Sequence, residues 1–394
     1  MARRTTPGVA ELLAAKEMVV VCGSGGTGKT TVAAALGAQA AVQVGGRVLV
    51  LTVDPARRLA TALGIGAFGN AEVRVPSEAF AAAGVQPRGE LWVAMLDTKA
   101  GWDELVRRHA PDAALREQIL ANPLYRNITS RFVHSHDYIA MEKLQEVHAS
   151  GVYDLVVIDT PPSRNALDLL DAPGRMREFF GSRLLRWLTV PYRSRLFTVA
   201  SKPFYQVADR ILGSRFLQDI AEFFILFQAM EPGFVARATE VERLLTDDRT
   251  TFVVVSTLEV APAHEARFLA AELRRRGMPL GALVLNRTLP AAIRQPAAAQ
   301  SARRLRKVAD DDASVRELAG VAGTDPVAAR GVLVEVAERF HDTVVVAARE
   351  AERRRELGAV APIVVDAPTL RDDIHDLAGL LQLGAHIVGN GSLS

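Results

Sequence analysis

The chain has 394 residues, 49% of them hydrophobic, and its 47 Lys and Arg nearly balance 45 Asp and Glu to a formal charge of +2. That is apolar material for one large domain or two to three small ones, and the interspersed charges leave no polybasic surface to make nucleic acid or anionic lipid the main partner. A single cysteine, Cys22, excludes an internal disulfide, a thiolate metal cluster and a zinc bridge through a C-x-x-C pair.

Residues 1–7 have no apolar signal-type run behind them, and no uninterrupted apolar run reaches bilayer length, so a cytoplasmic location is expected. The first strongly patterned segment is Val19-Val20-Val21-Cys22, running straight into Gly23-Ser24-Gly25-Gly26-Thr27-Gly28-Lys29-Thr30-Thr31. Residues 23–30 fit the pattern G-x-x-x-x-G-K-S/T, in which glycines let backbone N–H groups wrap a polyphosphate at a helix N-terminus. Lys29 is then expected to reach the β- and γ-phosphates, and the Thr30 hydroxyl to ligate a bridging Mg²⁺. Thr31 is expected to open a helix through Val32, Leu36 and Ala40, and Cys22 to be a small core residue at the strand end.

Short β-branched runs at 18–22, 48–53, 91–96, 155–159, 251–257, 281–285 and 363–366 alternate with helical patterns. Continuous apolar runs suit strands buried on both faces, which predicts an α/β fold with a doubly wound, mostly parallel sheet. Two wholly helical stretches, 99–150 and 173–247, interrupt the alternation and read as an inserted α-helical subdomain; 15–98, 151–172 and 248–394 form the nucleotide-binding core. In the second stretch, 216–227 becomes apolar nearly all round, and Phe179, Phe180, Leu184, Leu185, Trp187 and Leu188 form another cluster. Such faces either line a groove or pack on one another and on the sheet. Residues 291–358 read as Ala-rich, charged helices, in which the basic run 303–307 is offset by Asp310, Asp311 and Asp312 as a solvated face. His134, His136 and His148 are assigned no metal.

Two predicted strands end in carboxylates: 48–53 leads into Asp54-Pro55-Ala56 and 155–158 into Asp159-Thr160-Pro161-Pro162. In a parallel sheet both emerge at the carboxyl edge beside the phosphate loop, where one can orient a water and the other support a metal's hydration shell. Either alone would serve equally as a helix N-cap.

With these motifs in order, the chain resembles the family of arsenite-pump (ArsA) and tail-anchored-protein targeting ATPases, within the deviant-Walker-A class. The loop 23–31 is similar to the family's G-K-G-G-V-G-K-T-T, Asp54-Pro55-Ala56 to its switch I and Asp159-Thr160-Pro161-Pro162 to its switch II. Leu167-Asp168-Leu169-Leu170, Val284-Leu285-Asn286-Arg287, Asp366-Ala367-Pro368 and Asp373-Ile374-His375-Asp376-Leu377 continue the likeness. The resemblance implies a P-loop NTPase with ATP and Mg²⁺ as cofactors. Gly25, Gly26, Thr27, Gly28, Lys29, Thr30 and Thr31 would hold the phosphates, Asn286 would read adenine with Arg287 beside it, and Thr30 and Asp159 would serve the metal. Asp54, positioning the attacking water, and Lys29 would be the catalytic residues. It further implies ATP/ADP exchange, a dimer sandwiching two nucleotides, and coupling to the hydrophobic helix of a membrane-protein client or to a membrane partner.

The chain departs from that pattern at Ser24, where the family carries its signature lysine, and at Ser163-Arg164-Asn165, where Thr-Gly-His is usual. A lysine crossing to the partner's nucleotide acts like an arginine finger, whose loss costs roughly a thousandfold in rate. The subunit then hydrolyses ATP slowly, pairs as a heterodimer with a lysine-bearing ArsA-like paralogue, or uses another cation such as Arg57 or Arg164. Arsenite chemistry needs several soft thiolates, which one cysteine does not supply. A small-molecule kinase using the same loop would need an acceptor pocket and an Arg-rich lid, which the long apolar helical insertion suits poorly.

Overall fold

Met18, Val20 and Cys22 enter one apolar layer while Val19 and Val21 enter another, each at most 2% exposed. A strand that is apolar at every position is apolar on both faces, because successive side chains alternate sides, and it must be covered twice. The computed structural model describes residues 8–53, 62–63, 65, 71–110, 112–122, 125, 135–161, 170–172, 174–175, 178 and 231–389.

Among them the elements run α1 (Val9–Ala14), β1 (Met18–Gly23), α2 (Lys29–Gln39), β2 (Gly46–Thr52), β3 (Val73–Arg74), α3 (Ser77–Ala82) and β4 (Gly89–Met95). Then follow α4 (Thr98–His109), α5 (Ala113–Ala121), α6 (Ser135–Ala149), β5 (Leu155–Asp159), α7 (Glu231–Thr246), β6 (Thr250–Ser256), α8 (Val260–Arg275) and β7 (Leu280–Thr288). The chain closes with α9 (Pro296–Asp310), α10 (Asp312–Ala322), α11 (Pro326–Leu357), β8 (Ile363–Pro368) and α12 (Leu377–Val388). The eight strands form one sheet in the order β3-β4-β2-β5-β1-β6-β7-β8. All neighbours are parallel except β3 and β4. Every strand expected from the sequence is present. The addition is β3, two residues antiparallel to β4 at the edge, too short to show a period.

Helices α1, α2, α3 and α12 cover one face, and α4, α6, α7 and α8 the other, the two-sided cover of a doubly wound sheet. Helix α2 lies very close to its neighbours. A Cβ at Gly37 would fall 2.3 Å from Val50 Cγ2 of β2, and one at Gly384 of α12 would fall 2.9 Å from the Ala35 carbonyl oxygen. Gln39 fastens the two helices by donating to the Leu381 carbonyl at 2.8 Å. Among the described residues no helix is long and apolar enough to cross a membrane.

Helices α9, α10 and α11 are inserted between β7 and β8. Their small core is Val315, Ala319 and Ala329 with Leu333 against it. The end of the 32-residue α11 is tied to the carboxyl edge of the sheet. Glu350 accepts from the Leu289 N–H at 3.1 Å, and Arg353 donates to the Leu258 carbonyl. Asp366, leaving β8, accepts from Arg354 Nε at 2.8 Å and pairs with Arg294 at 2.7 Å.

Candidate functional site

Gly23 ends β1 where the backbone runs against β6: a Cβ there would sit 2.1 Å from the Val255 carbonyl oxygen. The chain then turns through Gly26 (φ 78°) and Gly28 (φ 90°), both left-handed, where a side chain is strained. Helix α2 starts at Lys29, two residues before the expected start, with Gly28 as its N-cap and the Val32 N–H donating to the Gly28 carbonyl at 2.9 Å. Its first turn holds no acidic residue, so nothing in that turn offsets the positive end of the helix dipole facing the loop. A loop of successive N–H groups over that helix end is an anion cup.

Across the cup, the Ser24 carbonyl accepts from Lys29 Nζ at 3.0 Å and from Thr27 Oγ1 at 2.9 Å. Lys29 is only 8% exposed, so its ammonium is already held over the loop. The next strand contributes the acid. Parallel pairing sets Asp159 of β5 opposite Val21, and Thr160 caps the register by donating its N–H and its hydroxyl to the Val21 carbonyl at 3.1 and 2.9 Å. Asp159 is fully buried, a costly place for a carboxylate unless hydrogen bonds compensate. Its Oδ2 accepts from Thr30 Oγ1 at 2.6 Å and from Thr52 Oγ1, at the end of β2, at 3.0 Å. Burial pushes the Cys22 thiol up to about 12 despite the lowering effect of Lys29, so it is a neutral core filler.

Asn286, 6% exposed at the end of β7, reaches the same loop: its Nδ2 donates to the Thr27 carbonyl at 2.8 Å. Arg287 beside it is exposed and is the only non-glycine residue with positive φ (55°) among the described residues.

Of the residues selected from sequence, the structure gathers Gly25, Gly26, Thr27, Gly28, Lys29, Thr30, Thr31, Asp159, Asn286 and Arg287 at one sheet edge. Asp54, Arg57 and Arg164 lie outside the described residues, as do the apolar clusters at 179–188 and 216–227. His148 contacts Glu17 Oε2 at 3.0 Å on the surface. Thr52 was missed from sequence, its only signal a hydroxyl residue closing an otherwise apolar strand, and Thr160 was named only within the switch II likeness, with no role given to it.

A glycine loop between the central strand and its helix, with a buried aspartate of the adjacent strand bonded to the loop threonine, defines a P-loop NTPase. A family model described as anion-transporting ATPase matches residues 16–312, and the chain belongs to this ArsA ATPase family. Uncharacterized protein SCO2128 of Streptomyces coelicolor is 30% identical over 273 residues, 69% of this chain and 62% of that protein. ATPase GET3 of Malassezia globosa is 26% identical over 270 residues, 68% of this chain and 71% of that protein. ATPase BagA of Mycobacterium tuberculosis is 25% identical over 388 residues, 94% of this chain and 92% of that protein.

Proposed function

We propose that the chain is an ATP-hydrolysing conformational switch that couples nucleotide state to binding of a membrane-protein client or a membrane partner. The observation that carries the nucleotide half is Thr30 Oγ1 meeting the buried Asp159 carboxylate at 2.6 Å at the mouth of the glycine loop, with Lys29 alongside. A hydroxyl and a carboxylate oxygen are the hard donors that suit Mg²⁺, so Thr30 and Asp159 fit the metal and the loop N–H groups fit the phosphates. When bound, the ion supplies charge neutralisation between the β- and γ-phosphates. Lys29 exchanges the Ser24 carbonyl for phosphate oxygens, and Asp54 orients the attacking water. The client half rests on family resemblance and on the apolar clusters of the helical insertion. The working form is a dimer.

Ser24 favours a second reading, a weakly hydrolysing subunit that acts in a heterodimer with a lysine-bearing paralogue. Its hydroxyl is buried without a hydrogen-bond partner among the described residues and supplies no positive charge. Phosphate release by purified protein with ATP and Mg²⁺, compared with Lys29→Ala while light scattering follows the oligomer, separates the two. Lys29-dependent turnover by a homodimer supports an autonomous switch. Tight ATP binding with negligible turnover, raised by Ser24→Lys, supports the heterodimer. Robust release that is indifferent to Lys29→Ala refutes both.

A further inference from the structure

Resting on the nucleotide-binding reading, we infer that Asn286 is a positioning residue of the phosphate loop: it holds the Thr27 peptide so that the loop presents its N–H groups to phosphate before any nucleotide arrives. Both ends of its amide are engaged. Oδ1 accepts from the Arg287 N–H at 3.0 Å, which fixes the amide's orientation, so the nitrogen faces the Thr27 carbonyl, 2.8 Å away. The local backbone is shaped for this reach. The β7–β8 register shifts between Asn286 and Thr288, Arg287 turns left-handed at φ 55°, and pairing resumes with the Thr369 N–H donating to the Thr288 carbonyl at 3.0 Å.

The effect on the loop follows from peptide geometry. In a trans peptide the C=O and N–H point in opposite directions. Drawing the Thr27 carbonyl toward β7 therefore aims the Gly28 N–H away from β7. Thr27 is 1% exposed, its hydroxyl donates to the Ser24 carbonyl and its carbonyl accepts from Asn286, so both of these groups have protein partners. The contact is tight: a Cβ at Gly28 would lie 2.3 Å from Asn286 Nδ2, so Gly28 is required both for its left-handed turn and for the approach of this amide. Asn286 retains a second N–H and a second lone pair, so a role at the base does not compete with this one.

The test uses full-length protein and two variants. Asn286→Asp keeps the shape and the acceptor for Arg287 but cannot donate to Thr27, and Asn286→Ala removes the whole amide. Two readouts are taken: hydrogen exchange of the 23–31 segment without ligand, and calorimetric affinity for Mg²⁺ with inorganic tripolyphosphate, which has no base, beside ATP. Expected are faster exchange in both variants and a loss of about tenfold for tripolyphosphate as well as ATP, the order set by one buried hydrogen bond. Unchanged loop exchange and unchanged tripolyphosphate affinity, with only ATP weakened, would make Asn286 a reader of the base and overturn the inference. Faster loop exchange in a protein whose wild type binds neither ligand would uphold the positioning role and refute the nucleotide reading instead.

Discussion

Gly37 lies in the last turn of α2, which runs on directly into a π-helical turn at Ala40–Val44, so it is interior to the helical run, where replacing glycine by alanine ordinarily gains about 1 kcal/mol of helix stability. Here the added Cβ would meet Val50 Cγ2 at 2.3 Å and Leu91 Cδ1 at 3.6 Å, both on fully packed core side chains at most 1% exposed. Val50 is β-branched and stiff, and its layer is closed from above by α12, so the overlap is relieved only by shifting α2 from the sheet. Overpacking of this kind costs about 1–3 kcal/mol. The two effects oppose each other, and the structure decides the sign: Gly37→Ala is expected to lose about 1 kcal/mol net, read as a lower urea midpoint. Val50→Ala alone loses about 2 kcal/mol by deleting buried methyls. The double variant is expected to be more stable than Val50→Ala, because the alanine introduced into α2 then keeps its helix gain and fills part of the void. A more stable Gly37→Ala single variant, or strict additivity in the cycle, would refute the close-approach argument.

Thr52→Val should cost about 1–2 kcal/mol by removing a hydroxyl donor to Asp159 Oδ2, measured by denaturant titration; a neutral result would mean the carboxylate does not depend on it. Asp366→Ala leaves Arg294, 16% exposed, facing Arg354, 37% exposed, without their shared carboxylate. With solvent screening of Arg354, a loss of about 2 kcal/mol is expected, partly restored by adding Arg354→Ala. Native Cys22 should resist iodoacetamide at pH 8.5 and react on unfolding. Its folded value of about 12 lies above the ordinary 9.0, so the stability it contributes is complete below pH 9 and fades as pH rises toward 12. Rapid native alkylation would contradict its burial.

How much could be read from the chain depended on how local the physics was. The β5 run 155–158 is apolar throughout because both its faces are covered, and that alone identified it as an interior strand. The phosphate loop was legible for a similar reason, since Gly26 and Gly28 answer to left-handed backbone angles set within nine residues. Thr52 shows the opposite case. Its hydroxyl matters through a residue 107 positions away, a pairing fixed by strand order that no periodicity encodes. The same holds for Asn286, whose amide meets Thr27 across 259 positions and which family likeness alone assigned to the base. The start of α2 at Lys29 was missed because threonines suggested a later opening, whereas Gly28 already supplies the cap. For the long helix α11, its length was hidden by the absence of one apolar stripe, since only Ala329, Ala337, Ala347 and Leu357 of its 32 residues are buried.

The two-sided burial of the strands makes the sheet a partition between two chambers that, among the described residues, share no apolar side chain. The chamber under α2 and α12 sets the pose of the helix that follows the glycine loop, and the opposite one is closed by α4, α6, α7 and α8. Variation can therefore accumulate in the layer behind the partition while the glycine loop on the other side keeps its geometry.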